Sequence, residues 1–278
     1  MKLRLLGWLL AIVPTLGLTQ EVPAELRGIW ATPNCSAPID TLVMRRGFYL
    51  WIGQDETSLK GVVATPDVEN DWVRLEESTG YPIFFKLLPD GKLRETYLPE
   101  DANFNEQPQD DWETADFESC QDNLPRPHVL LHGEAVSLFA VLDQVYGSCD
   151  QDRQACAQTL FDGVDVSGDG QVSRAELARL LRVIAYTAAV GTDTPANNSD
   201  LGTLMASSLP IAPLIATAIV NSFDYNDDGV LSMAEITHDR GSLIDQLESQ
   251  TGSKLGARLS ELKQTLKPLE QLLEQFGY

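Results

Sequence analysis

Two twelve-residue stretches, 165–176 and 224–235, share one arrangement of oxygen-bearing residues. Positions 1, 3 and 5 are Asp165, Ser167 and Asp169 in the first stretch and Asp224, Asn226 and Asp228 in the second. Position 6 is glycine (Gly170, Gly229), position 8 aliphatic (Val172, Leu231), position 9 serine (Ser173, Ser232) and position 12 glutamate (Glu176, Glu235). Ca²⁺ is a hard cation that takes six to eight oxygens, so alternate residues of a tight loop must point inward to hold it. The glycine permits the sharp bend, because the residue there must tolerate a positive φ.

This pattern resembles the calcium loop of the EF-hand family, and the resemblance extends over about residues 154–248. The family implies paired helix–loop–helix units and a ligand for each matching position. In the first loop these are Asp165, Ser167, Asp169, the carbonyl of Gln171, and Glu176 with both oxygens. In the second they are Asp224, Asn226, Asp228, the carbonyl of Val230, and Glu235. The position-9 serines can act through water. Ser167 departs from the Asp or Asn usual at position 3, which makes the first site the weaker. The loops are separated by residues 177–223, more than in a compact EF-hand pair. They can still pair through short strands around Val172 and Leu231; a single working hand is the alternative. Asp101, Asn103 and Asn105 imitate a third loop, but Glu106 occupies the glycine position and rules it out.

Other chemistry is sparse. His128, His132 and Glu134 have metal-ligand types at helical spacing, but Pro127 and Gly133 flank them, and a structural role is the expectation. His238 stands alone, on the exit helix of the second loop. Nucleophile-elbow, phosphate-loop, dinucleotide-binding and zinc-protease patterns are absent, so the sequence gives no argument for an enzyme.

The elements that position the loops follow from composition. Lys2, Arg4, an apolar run over residues 5–13 and Pro14 read as a signal peptide over residues 1–19. That run is too short to span a bilayer, and the later apolar stretch 209–220 carries Pro210 and Pro213, so no transmembrane span is expected after signal removal. The expected location is periplasmic or secreted. Four cysteines suit that oxidising destination. Of three possible pairings, Cys35–Cys120 and Cys149–Cys156 staple each region locally. A formal charge of −21, from 41 acidic and 20 basic residues, argues against nucleic acid and anionic lipid as partners.

Residues 24–124 read as a small antiparallel β-barrel or sandwich, with five or six strands including 46–52, 58–65, 68–75, 83–88 and 92–98. Pro89-Asp90-Gly91 makes a hairpin turn. Gly28-Ile29-Trp30 resembles the Gly-x-Trp of lipocalin-like barrels, whose tryptophan closes the barrel floor; a tryptophan buried in any β core is the alternative. Residues 101–122 are acidic and rich in Asn, Gln and Pro, and Pro125-Arg126-Pro127 marks a boundary. Helical periodicity follows at 134–146, 154–164 and 174–189. A polar linker over 191–202 leads to an entering helix from about 212 to 223. From Leu255 to Phe276, apolar residues alternate at spacings of four and three, which predicts an amphipathic helix over 253–278, kinked at Pro268. Its expected role is to shield the helices of the loop region, with dimerisation or docking as the alternative.

The fold class is therefore α+β: the β region, an all-α EF-hand pair over 134–250, and the C-terminal helix. The leading expectation is an exported, non-enzymatic calcium-binding protein whose β region meets a protein or small apolar ligand. The alternative is a secreted carrier or inhibitor in which the β region acts and calcium is structural. The barrel lining discriminates further, since a purely apolar interior suits a carrier and clustered histidines or carboxylates suit an enzyme.

Overall fold

The computed structural model describes residues 21–238, except 67–70, 78–80, 100–101, 104–105, 110, 122, 149–152 and 193. The signal segment, Asp101, Asn105, Cys149 and the 253–278 helix lie outside the described residues.

The N-terminal half is a closed eight-stranded antiparallel barrel. Its strands are β1 (Gly28–Thr32), β2 (Asp40–Arg45), β3 (Phe48–Ile52), β4 (Glu56–Pro66), β5 (Val73–Glu77), β6 (Pro82–Leu87), β7 (Leu93–Tyr97) and β8 (Thr114–Ser119). Each pairs with the next, and β8 returns to β1 through Trp30↔Ser119 and Ala31↔Glu118. Closure removes the exposed edges an open sheet would leave. The long β4 makes this possible by pairing with β3 over Thr57 to Gly61 and with β5 over Val62 to Pro66. Cys35–Cys120 is formed and ties the connection after β1 to the end of β8, next to the seam where the barrel closes. Cys156 is disulfide-bonded as well.

Two expectations change here. The barrel has eight strands, not five or six. The closing strand β8 falls inside the acidic stretch 101–122, to which no strand is assigned from sequence, because only Phe117 of that strand is buried.

The alternation of β side chains gives the barrel two cores. Inside, Leu42, Met44, Leu75, Phe85 and Phe117 are fully buried. Val22, Leu26 and Trp30 belong to the same cluster, and the Trp30 indole donates to the Leu26 carbonyl at 2.8 Å. A lipocalin-like barrel is consistent with this arrangement. Outside, Ile29, Val43, Phe48, Leu50 and Ile52 are buried against helices.

Those helices are α1 (Arg126–Ser148), α2 (Arg153–Val164), α3 (Arg174–Val190), α4 (Asn198–Phe223) and α5 (Met233–His238). Pro127 fits the first turn of α1, where its missing N–H removes no helical bond. Phe139 of α1 packs edge-on against Phe48 at 5.3 Å, and Val183, Tyr186 and Val190 of α3 join the same cluster. Asp143 of α1 accepts from the backbone of Arg46 at 2.7 Å. The outer face of the barrel and the helical half thus share one core.

The entering helix of the second loop starts well before residue 212. A two-residue strand, β9 (Ala196–Asn197), pairs with Glu56 and Thr57, and α4 begins immediately after it. Asn197 caps α4 by accepting from the Ser199 amide at 2.8 Å, and Asn198 grips the β3–β4 turn through the carbonyls of Gly53 and Gln54. Most of the expected linker is therefore structured. Pro210 and Pro213 lie inside α4 with exposed side chains, so their rings face away from the packed side.

Candidate metal centre

The two acidic loops connect α2 to α3 and α4 to α5, and they lie side by side. Val172 and Leu231 exchange two backbone hydrogen bonds, at 2.8 and 2.9 Å, in an antiparallel bridge. Beneath the bridge Phe161, Val164, Val172, Val220 and Leu231 form a buried cluster. The aliphatic position-8 residues therefore do two jobs: their backbones join the loops and their side chains anchor them.

Within each loop the first aspartate organises the turn. The Asp165 carboxylate accepts from the amides of Gly168 and Gly170 at 2.7 Å each, from Asp169 at 3.3 Å and from the Ser167 hydroxyl at 3.0 Å. Asp224 accepts from Asp228 at 3.0 Å and from Gly229 at 2.7 Å. Gly170 and Gly229 have φ of +82° and +86°, where a Cβ would be strained. Position 4 is also left-handed in both loops: Gly168 at +72° and Asp227 at +62°.

The last glutamate closes each loop and starts the next helix. Ser173 caps α3 in a capping box with Glu176, whose Oε2 accepts from the Ser173 amide at 2.8 Å and its hydroxyl at 2.7 Å. The other oxygen, Oε1, reaches across to the Ser167 amide at 2.8 Å. Glu235 repeats the plan: Oε2 accepts from the Ser232 amide and hydroxyl, and Oε1 from the Tyr225 amide at 3.1 Å. One carboxylate thus spans the loop from end to end.

Electrostatics follow the same wiring. Desolvation pushes Asp165 up, but the amides of Gly170 and Gly168, the Ser167 hydroxyl and the Asp169 amide together hold its carboxyl below the usual range. Desolvation likewise raises Glu176, and the bonds from Ser173 and Ser167 outweigh it. Glu235 is held low first by the Ser232 amide and hydroxyl. Hydrogen bonds to the charged form keep these groups ionised. Asp165, Glu176 and Glu235 are nonetheless buried, which a carboxylate tolerates only with strong partners.

The residues fit a hard cation. Each loop offers three carboxylates with Ser167 or Asn226 between them, all oxygen donors when the amide group of Asn226 presents Oδ1. Among the described residues, no group of three or more His, Cys, Asp or Glu side chains is gathered to hold a metal. Several carboxylate oxygens accept from loop amides, as Asp169 does from Gln171 and Asp228 from Val230.

His132 and Glu134 are engaged elsewhere. His132 is buried and bonds Tyr186 at 2.7 Å, and Glu134 makes a two-point ion pair with Arg182 at 2.9 and 2.5 Å. Burial, helped by nearby His128, pushes His132 down to about 3, so it stays neutral and joins α1 to α3. His238 ends α5, with its ring 5.4 Å from that of Tyr225.

A second polar cluster, invisible in the sequence, lies inside the barrel. Register places Asp40, Tyr49, Glu77, Glu95 and Tyr97 on the inward side, near the end opposite Trp30. The Tyr49 hydroxyl donates to Glu77, Glu95 bonds Tyr97, and Asp40 bonds Trp51. Burial raises Glu95 to about 7. The barrel interior is therefore apolar towards Trp30 and carries clustered carboxylates at the other end, unlike a purely apolar carrier lining.

No family model, no curated protein and no solved structure matches this chain.

Proposed function

We propose that this is an exported, non-enzymatic calcium-binding protein with an EF-hand pair, and that its barrel is the part that meets a partner. The observation that carries the reading is the repeated wiring of the two loops. In each, the first aspartate collects the amide of the position-6 glycine while the last glutamate both caps the following helix and reaches the opposite end of the loop. The bridge between Val172 and Leu231 couples them. Asp165, Ser167, Asp169, Gln171 and Glu176 would hold one ion, and Asp224, Asn226, Asp228, Val230 and Glu235 the other. The Cys35–Cys120 bond fits an oxidising compartment.

Binding to the folded chain alone stabilises it by linkage. Thermal unfolding followed by circular dichroism should move to higher temperature when millimolar calcium replaces chelator. Superimposable melts would remove the proposal.

A second reading has the barrel as the active part and calcium as a stiffener. The shared core favours it: α3 leaves the first loop and ends on the barrel, while α4 starts at β9 on the barrel and ends at the second loop. Ordering the loops would fix both helices against the barrel wall. Hydrogen exchange decides between the two. Calcium-dependent protection that reaches β3 and β4 supports stiffening, and protection confined to the loops supports the first reading.

A further inference from the structure

Among the described residues, a run of apolar side chains on α4 is left without a partner. No residue from Leu201 to Phe223 is charged. On α4 the side chains of Leu209, Ile211 and Leu214 are 61%, 37% and 72% exposed, with Pro210, Pro213 and Ala218 exposed beside them. The opposite side of the helix is committed. Ala212 and Ala216 pack on Ala178 of α3, and Val220 lies in the cluster under the loops. An exposed apolar strip of this kind on a single helix marks an interaction surface.

We propose that the strip is covered by the chain's own C-terminal segment, residues 255–276. The geometry of attachment argues for that occupant. The described chain ends at His238, whose ring lies against Tyr225, the second residue after the end of α4. From there the C-terminal segment need only double back along α4. Residues 239–254 can span about 50 Å when extended. The way back from Phe223 to Leu209 is about 21 Å along a helix. The segment carries Leu255, Leu259, Leu262 and Leu266, continuing to Phe276, at alternating spacings of four and three. In helical form these residues make one apolar stripe, of the width that a single exposed helix face accommodates. Tethering supplies a millimolar effective concentration, which a second copy of a chain with net charge −21 does not match at ordinary protein levels. A bilayer is a poorer occupant, although α4 has the length and composition of a membrane-crossing helix. Inserting it would strip Ala212, Ala216 and Val220 from their packing and break the hold of Asn198 on the β3–β4 turn. The inference stands whether or not the loops take calcium.

Replacing Leu214 with the photo-crosslinker p-benzoylphenylalanine in the full-length chain tests it. Irradiation should give a product of monomer mass, with the crosslink mapping to residues 255–276. A dimer-mass product, capture of phosphatidylcholine when vesicles are added, or a monomer without a crosslink to that segment would each overturn the proposal. The double variant Leu262→Asp/Leu266→Asp provides a second readout. With near-ultraviolet circular dichroism unchanged, it should raise the fluorescence of a hydrophobic dye by about twofold or more, as expected for a newly bared apolar face. Unchanged dye fluorescence would contradict it.

Discussion

Acidic side chains are put to opposite uses in the two halves of this molecule. In the loops, Asp165, Glu176 and Glu235 are buried yet held low, because backbone amides and serine hydroxyls point at them. In the barrel, Glu95 lies deeper, walled in by the barrel interior beside Tyr97 with Asp40 nearby, and burial drives it up to about 7. The residue types are the same, and the difference lies in depth and in what the backbone offers. A tight loop with left-handed glycines turns several N–H groups inward, whereas a β-strand spends its N–H groups on the neighbouring strands. The loop makes a carboxylate that stays charged; the barrel makes one that prefers a proton.

The largest effect that would break this contrast is at the end of a loop. Glu235→Gln and Glu176→Gln each remove a carboxylate that spans its loop, and each should lower calcium stoichiometry from two ions to one. Calorimetry on the single variants reads this directly. Retention of both ions in either variant would mean that the final glutamates are caps and nothing more.

The barrel is expected to depend on its seam. Opening Cys35–Cys120 by Cys35→Ser/Cys120→Ser should cost about 2–5 kcal/mol, because the bond closes a separation of 85 residues beside the short β1–β8 pairing. Urea unfolding monitored by tryptophan fluorescence gives the value. An unchanged midpoint would show that β1 and β8 hold the closure alone.

Glu95 sharpens the contrast through pH. Its folded value lies above that of an unfolded glutamate, so the folded state holds the extra proton between about pH 4.5 and 7. This contribution is fully present below the unfolded value and is lost as pH rises through 7, amounting to about 3 kcal/mol. Asp40, Tyr49, Glu77 and Tyr97 share the barrel interior, and Lys60, opposite Tyr49 in the register, faces the same way. Glu95→Gln should flatten the fall in stability between pH 5.5 and pH 8.5, read from urea midpoints. A wild type equally stable at both values would contradict this account of Glu95.

The smallest effect separates the loops themselves. Asp165 is saturated by four donors, one of them the hydroxyl of Ser167, whereas Asp224 accepts from two amides. The second loop also carries Asp227 where the first has Gly168. More charge and fewer competing bonds should make the second site the tighter. Ser167→Asn should narrow the gap, and Asp227→Gly should narrow it from the other side, each by a few-fold, on the order of 1 kcal/mol. Two titrations compared with wild type suffice.

These features were not equally legible from sequence. The loops were legible as tight turns, because a dozen consecutive residues contain their bends, the carboxylates that accept from their amides and the cap of the next helix. The helices α2 and α3 were legible from apolar periodicity. β8 was hidden by acidic outward residues around a lone buried Phe117, and the first half of α4 by its small polar residues and two prolines. The barrel cluster could not be read at all. Asp40, Glu77 and Glu95 come from three strands far apart in the chain, and only the closed register brings them to one interior. Local chemistry leaves a local pattern, and chemistry assembled by topology does not.

Calorimetric titration of the wild-type chain with calcium tests the central claim most directly. The expected result is two ions per chain, with affinities of about 10⁻⁴–10⁻³ M and the 224–235 loop filling first. Absence of binding heat at millimolar calcium would contradict it.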